Sequence, residues 1–132
     1  MSRSSKKILR IKSHVMETAV IVIVLTVLSG LSDSQGFLHA AKIWKDGRFI
    51  PYELILSAVG FSIGIVLYWI AIKYLNEIAA IPPELQALGW FGVTIISLAV
   101  FSGEYIKWTM LDQALAVSVM LGLGWLLYRT GG

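Results

Sequence analysis

Hydrophobic and polar positions along the chain sort into four long apolar blocks separated by short polar stretches. Each block has about the 20 residues that a helix needs to cross the hydrocarbon core of a bilayer. The blocks lack the alternation over about ten residues that marks membrane barrel strands. The pattern therefore predicts an all-α integral membrane protein, a bundle of four transmembrane helices with short loops. The predicted spans are 17–41, 52–74, 84–102 and 111–128, within a transmembrane domain of 17–129 that follows a basic N-terminal tail, 1–16. The first span is apolar from Glu17 to Leu31, and the second has no charge between Glu53 and Lys73. Short connections at 42–51, 75–83 and 103–110 imply an up-down-up-down order.

The span ends carry suitable local chemistry. Pro82-Pro83-Glu84 starts the third helix, because proline is tolerated in a first turn and a carboxylate meets the positive end of the helix dipole. Pro51 and Asp112 play similar parts before the second and fourth spans, and Gly131-Gly132 ends the last. Trp44, Tyr52, Trp69, Tyr74, Tyr105, Trp108 and Tyr128 cluster near the predicted ends, as interfacial aromatics do. No small-residue cleavage site follows the first apolar stretch, so it is expected to be retained rather than removed as a signal peptide.

Composition agrees with this pattern. The 132 residues are 57% hydrophobic and 14% charged, against about 25% charged in soluble domains, and the mean hydropathy is +0.76. A soluble fold of this size could not hide such blocks in one core. Nucleic-acid binding is a poor fit despite the pI of about 9.3. With no cysteine, and with His14 and His39 lying 25 residues apart, neither a metal site nor a cofactor is expected.

Charge sets the expected orientation. Arg3, Lys6, Lys7, Arg10 and Lys12 precede any acid, which places the N-terminus, and after four spans the C-terminus, on the cytoplasmic side of a cell (inner or plasma) membrane. Seven basic residues then lie inside, counting Lys73 and Arg129, against Lys42, Lys45, Arg48 and Lys107 outside. Without the tail the balance is two against four, so the tail decides. It is either an anchor to anionic lipid that doubles as a topology signal, or a lock on a nearly balanced bundle.

The polar residues inside the spans are few. Ser29, Ser32, Asp33, Gly36 and His39 fall on one side of the first helix, with Gln35 beside them. Such a stripe faces a cavity or a partner helix. Asp33, if buried, would take a cation or a proton. Alternatively the helix ends near Leu31, and Ser32–Ser34 cap a second short interfacial helix. His39 reads as an interfacial residue or a proton relay. Glu17, Glu53, Glu104 and Asp112 fall near span ends and are not read as catalytic. Small residues at helical spacing (Ser57, Gly60 and Gly64; Gly89 and Gly92; Ala114, Ser118 and Gly122) predict close helix packing, within the bundle or between chains. A four-span unit rarely encloses a path alone, so a homodimer or a larger complex in membrane lipid is expected. No Ser/His/Asp set, phosphate loop or paired carboxylates appear, and no enzyme is expected.

Three stretches carry a resemblance to the four-span branch of the drug/metabolite transporter superfamily, which includes small multidrug resistance exporters, half-length EamA-like proteins and aminoarabinose-lipid flippase subunits. Ile81-Pro82, with Trp90 eight residues after the proline and then Gly92-Val93, is similar to the entry of the family's third span. Gly103-Glu104, leading to Leu111-Asp112, looks like its glycine-acid turn. Gln35–Lys42 looks like the end of its first span, with His39 where lysine is usual. Two positions depart from the pattern. The stretch Val20–Leu28 lacks the glutamate that proton-coupled exporters carry in the first span, and Ala87 stands where the family has tyrosine. The resemblance implies a transporter subunit moving a small cationic or amphiphilic solute, or a lipid-linked sugar, with Asp33, Gln35, His39, Ser29, Ser32 and Trp90 as candidate site residues. The alternative is a non-transporting structural or accessory subunit of a membrane complex. A cavity between spans one to three lined by Asp33, Gln35 and Trp90 would fit transport, and a sealed bundle would fit the alternative.

Overall fold

A computed structural model describes residues 2–130. Among these residues there are four long helices: α1 (Arg3–Ala40), α2 (Pro51–Ile78), α3 (Pro83–Ser102) and α4 (Met110–Thr130). All four are long and apolar enough to cross a membrane. The chain is thus a four-helix, multi-span membrane protein of all-α class. The C-terminal glycine pair lies outside the described residues.

Local chemistry starts and stops these helices. The Ser2 hydroxyl caps α1 by accepting from the Ser5 amide at 3.2 Å. Prolines occupy the first turns of α2 and α3, with Glu53 and Glu84 beside them. The α3 helix stops at Gly103, whose φ of 66° is left-handed. A 3₁₀ turn, Tyr105–Lys107, leads to α4. Thr109, one residue before the helix, is the cap: its hydroxyl accepts from the Asp112 amide at 3.3 Å and donates to the Asp112 carboxylate at 2.7 Å.

Two features differ from the sequence expectation, and a third decides between its two readings of the first span. The basic tail is helical and continuous with the first span, so α1 has 38 residues and is about 57 Å long at 1.5 Å per residue. The helix runs unbroken to Ala40, close to the end of the predicted span 17–41, and not to the alternative end near Leu31. Serines and aspartate favour caps only when their side chains are free to bond nearby backbone. Here Ser34 bonds its own helix, donating to the Leu31 carbonyl at 2.7 Å, and Ser29 and Ser32 are engaged by α2. Lastly, the first connection holds a β-hairpin, β1 (Trp44–Lys45) against β2 (Arg48–Phe49). Its two-residue turn, Asp46-Gly47, has φ of 53° and 73°, the left-handed pair that a type I′ hairpin turn requires.

Burial is inverted relative to a soluble protein. Among the described residues the buried apolar side chains are only Ala71 and Leu85, while Thr18, Ser29, Asp33, Ser34, Ser57, Thr94 and Ser97 are all buried. Large apolar residues such as Val100, Leu121 and Trp125 point outward. With lipid as solvent, apolar surface gains nothing from burial, and small and polar groups collect at helix interfaces.

The helix α1 is the centre of the arrangement. It packs along α2 and also against α3, whereas α4 rests mainly on α3 and buries none of its residues. The α1–α2 seam is antiparallel. Ser29 meets Gly64, Ser32 meets Gly60, Gly36 meets Ser57, and His39 meets Glu53. On α2 these positions step by four, three and four residues and on α1 by three, four and three, together the 3.5-residue average of a coiled-coil seam.

Candidate functional site

Glycine lets the two backbones approach closely. A Cβ on Gly60 would lie 2.7 Å from the Gly36 nitrogen, and one on Gly36 would lie 2.9 Å from the Phe61 ring. A Cβ on Gly64 would collide with the Asp33 carboxylate. This proximity brings serine hydroxyls within reach of the facing carbonyls. Ser29 Oγ donates to Gly64 O at 2.6 Å, Ser32 Oγ to Gly60 O at 2.8 Å, and Ser57 Oγ back to Gly36 O at 2.9 Å. The third helix joins at the same point. Gly30 faces the α3 backbone, where its Cβ would lie 3.2 Å from the Thr94 nitrogen. One turn earlier on α3, the Trp90 indole N–H donates to Ser29 Oγ at 2.9 Å. One hydroxyl therefore ties α1, α2 and α3 together.

Asp33 sits inside this junction. It is 2% exposed and packed on Gly64. Its Oδ2 is buried without a hydrogen-bond partner, and no cation pairs with it among the described residues. By helical rise it lies about 9 Å along α1 from His39. His39 Nδ1 and Glu53 Oε2 meet at 2.6 Å at the end of the seam, each partly exposed. The seam thus has a polar pair at its mouth and an unpaired acid within.

Beyond Ser29, towards the Lys73 end of α2, the seam opens into an apolar cavity of about 270 Å³ lined mainly by α1, α2 and α3, with Leu127 of α4 also on its wall. Val22, Thr26, Ala71 and Leu85 line it, and Tyr68 and Trp90 stand at its Asp33 end. Those two rings stack with centroids 4.8 Å apart. Trp90 is therefore shared, with its ring facing the cavity and its N–H facing the junction. Asp33 and Gln35 do not line the cavity.

The structure brings Ser29, Ser32, Asp33 and Trp90 together and places His39 at the mouth. Gln35 lies half-buried, off the α2-facing stripe, and makes no side-chain hydrogen bond among the described residues. Of the small residues, Gly60 and Gly64 form the α1–α2 contact, and Gly92 lies under Met120 of α4. Gly89 borders the cavity, and a Cβ there or on Gly122 would meet nothing within 4 Å. Ala114, Ser118 and Gly122 lie exposed on α4. Sequence reasoning missed Tyr68, and Glu53 as the partner of His39. The spacing of Tyr68, one turn beyond Gly64 on α2, was the available signal.

No protein-family model, curated protein or solved structure matches this chain.

Proposed function

We propose that this chain is a transporter subunit of the drug/metabolite transporter type that moves a small cationic or amphiphilic solute across a cell membrane. The observation that supports it is the Asp33 carboxylate, enclosed between the helices of an apolar bundle with a buried oxygen that has no partner. A lone acid inside a membrane bundle marks an ion or proton path. The aromatic pair Tyr68–Trp90 stands between this acid and the apolar cavity, and an aromatic face attracts a desolvated cation. The Ile81-Pro82 and Trp90 spacing supports the same family. A buried acid beside an apolar cavity fits a cationic amphiphile better than a lipid-linked sugar. In this reading both termini are cytoplasmic, the active form is a homodimer or larger assembly, and there is no enzymatic step.

The test is flux into proteoliposomes, using tetraphenylphosphonium as the probe under an imposed pH gradient. The intact chain should accumulate the cation above empty vesicles, and Asp33→Asn should abolish the excess. Equal uptake by both proteins removes Asp33 from the mechanism, and no uptake by the intact chain removes transport of this class. The exposed α4 face bearing Ala114, Ser118 and Gly122 favours the accessory-subunit reading as runner-up. That reading gains if the intact chain carries no flux yet is isolated in a discrete complex.

A further inference from the structure

The hairpin between α1 and α2 is two-faced. In an antiparallel pair, directly opposed residues share a side and successive residues alternate. Trp44 pairs with Phe49, and their rings touch with centroids 5.2 Å apart. Lys45 pairs with Arg48 on the opposite side. These two residues flank a two-residue turn, a hydrogen-bonded pair in which Cα atoms stand about 5.5 Å apart. Like charges placed directly opposite destabilise a strand pair. Lys42 adds a third cation nearby, and among the described residues no carboxylate lies within ion-pair distance of any of the three. The hairpin also joins the ends of two helices long and apolar enough to cross a membrane. It begins four residues after Ala40, the end of α1, and ends two before Pro51, the start of α2. Its exposed Trp44, with Phe49 and Tyr52, forms the kind of aromatic belt that settles at the membrane–water boundary.

We propose that Lys45 and Arg48 form a binding site for the phosphate of an anionic phospholipid headgroup, with the Trp44–Phe49 face set against the acyl boundary. One phosphate between the two cations relieves their repulsion. The aromatic face fixes the hairpin so that the cations meet headgroups rather than bulk water. The site also accounts for a charge pattern that topology alone opposes: Lys42, Lys45 and Arg48 cluster on the side away from the basic tail. This inference does not depend on transport.

The experiment is native mass spectrometry of the full chain in neutral detergent, titrated with phosphatidylglycerol or phosphatidylcholine. The intact chain should hold a first phosphatidylglycerol at concentrations where phosphatidylcholine does not bind. The exposed double substitution Lys45→Gln/Arg48→Gln should weaken that adduct roughly 30-fold, taking the usual contribution of each basic residue at an anionic surface. A chain with Arg3, Lys6, Lys7, Arg10 and Lys12 changed to glutamine should keep it. The proposal is overturned if both lipids bind alike, if the hairpin substitution leaves the adduct unchanged, or if the tail substitution alone removes it. Displacement by millimolar inorganic phosphate would overturn the lipid assignment by showing a site for free phosphate.

Discussion

Replacing Gly60 by alanine tests the α1–α2 seam most directly. The new Cβ would lie 2.7 Å from the Gly36 nitrogen, 2.9 Å from Gly36 Cα and 3.0 Å from Ser32 O. All three are backbone atoms, so no side-chain rotation relieves the contact. Carbon contacts are comfortable from about 3.5 Å, and the helices must therefore part by roughly 0.7 Å. The hydrogen bonds now at 2.6, 2.8 and 2.9 Å then lengthen, and the longest passes the limit of about 3.5 Å for a useful bond. Interhelical hydrogen bonds in membranes average about 0.6 kcal/mol, so three contribute about 2 kcal/mol. Overpacking adds about 1–3 kcal/mol, and alanine's better helix propensity returns about 1 kcal/mol. The net expectation is a loss of about 2–4 kcal/mol. Reversible unfolding in mixed micelles with increasing dodecyl sulfate, followed by circular dichroism, measures it. Gly122→Ala is the paired control, since a Cβ there meets nothing within 4 Å. Equal stability of the two variants would refute the close-packed seam.

Three further outcomes follow from the same geometry. Trp90→Phe and Ser29→Ala should each destabilise the protein, and a double-mutant cycle should show coupling of about 0.6 kcal/mol, up to about 1.7; zero coupling would mean that the indole bond to Ser29 contributes nothing. Asp33→Asn should leave unfolding stability within about 1 kcal/mol of the parent, because the Asp33 Oδ2 has no donor to lose; a larger loss would reveal a carboxylate partner. His39→Ala and Glu53→Gln should couple by no more than about 1 kcal/mol, since both groups reach water; a larger value would mark the pair as a structural lock.

The spans were legible because a bilayer demands an apolar run of fixed length, and that requirement leaves its mark on contiguous residues. The polar stripe of Ser29, Ser32, Asp33 and Gly36 was legible for a similar reason, since helical spacing alone puts it on one face. Its partner was not. That Ser29 donates to Gly64 and Ser32 to Gly60 depends on an antiparallel register, which no local pattern encodes. The sequence left the continuity of α1 through Ser32–Gln35 open, because serine and aspartate also favour caps; the bonds of Ser32 to Gly60 and of Ser34 to Leu31 of its own helix engage hydroxyls that a cap would use. The hairpin is a different case. Asp46-Gly47 is the usual type I′ turn signal, but strands of two residues leave too short a pattern around it. Connection lengths gave no sign that α4 would bury nothing, since helices adjacent in sequence can pack tightly or barely touch.

The central position of α1 also imposes an order in time. The helix is made first, yet both of its neighbours are made later. Until α2 is complete, Ser29, Ser32 and Asp33 have no facing carbonyls or glycines to meet. Synthesis from Ala40 to Ile78 takes about 2–8 s at about 5–20 residues per second. During that interval the nascent chain carries an uncovered acid within its only completed span. The least costly course is for the first helix to stay beside the insertion machinery and enter lipid together with the second, as a preformed pair.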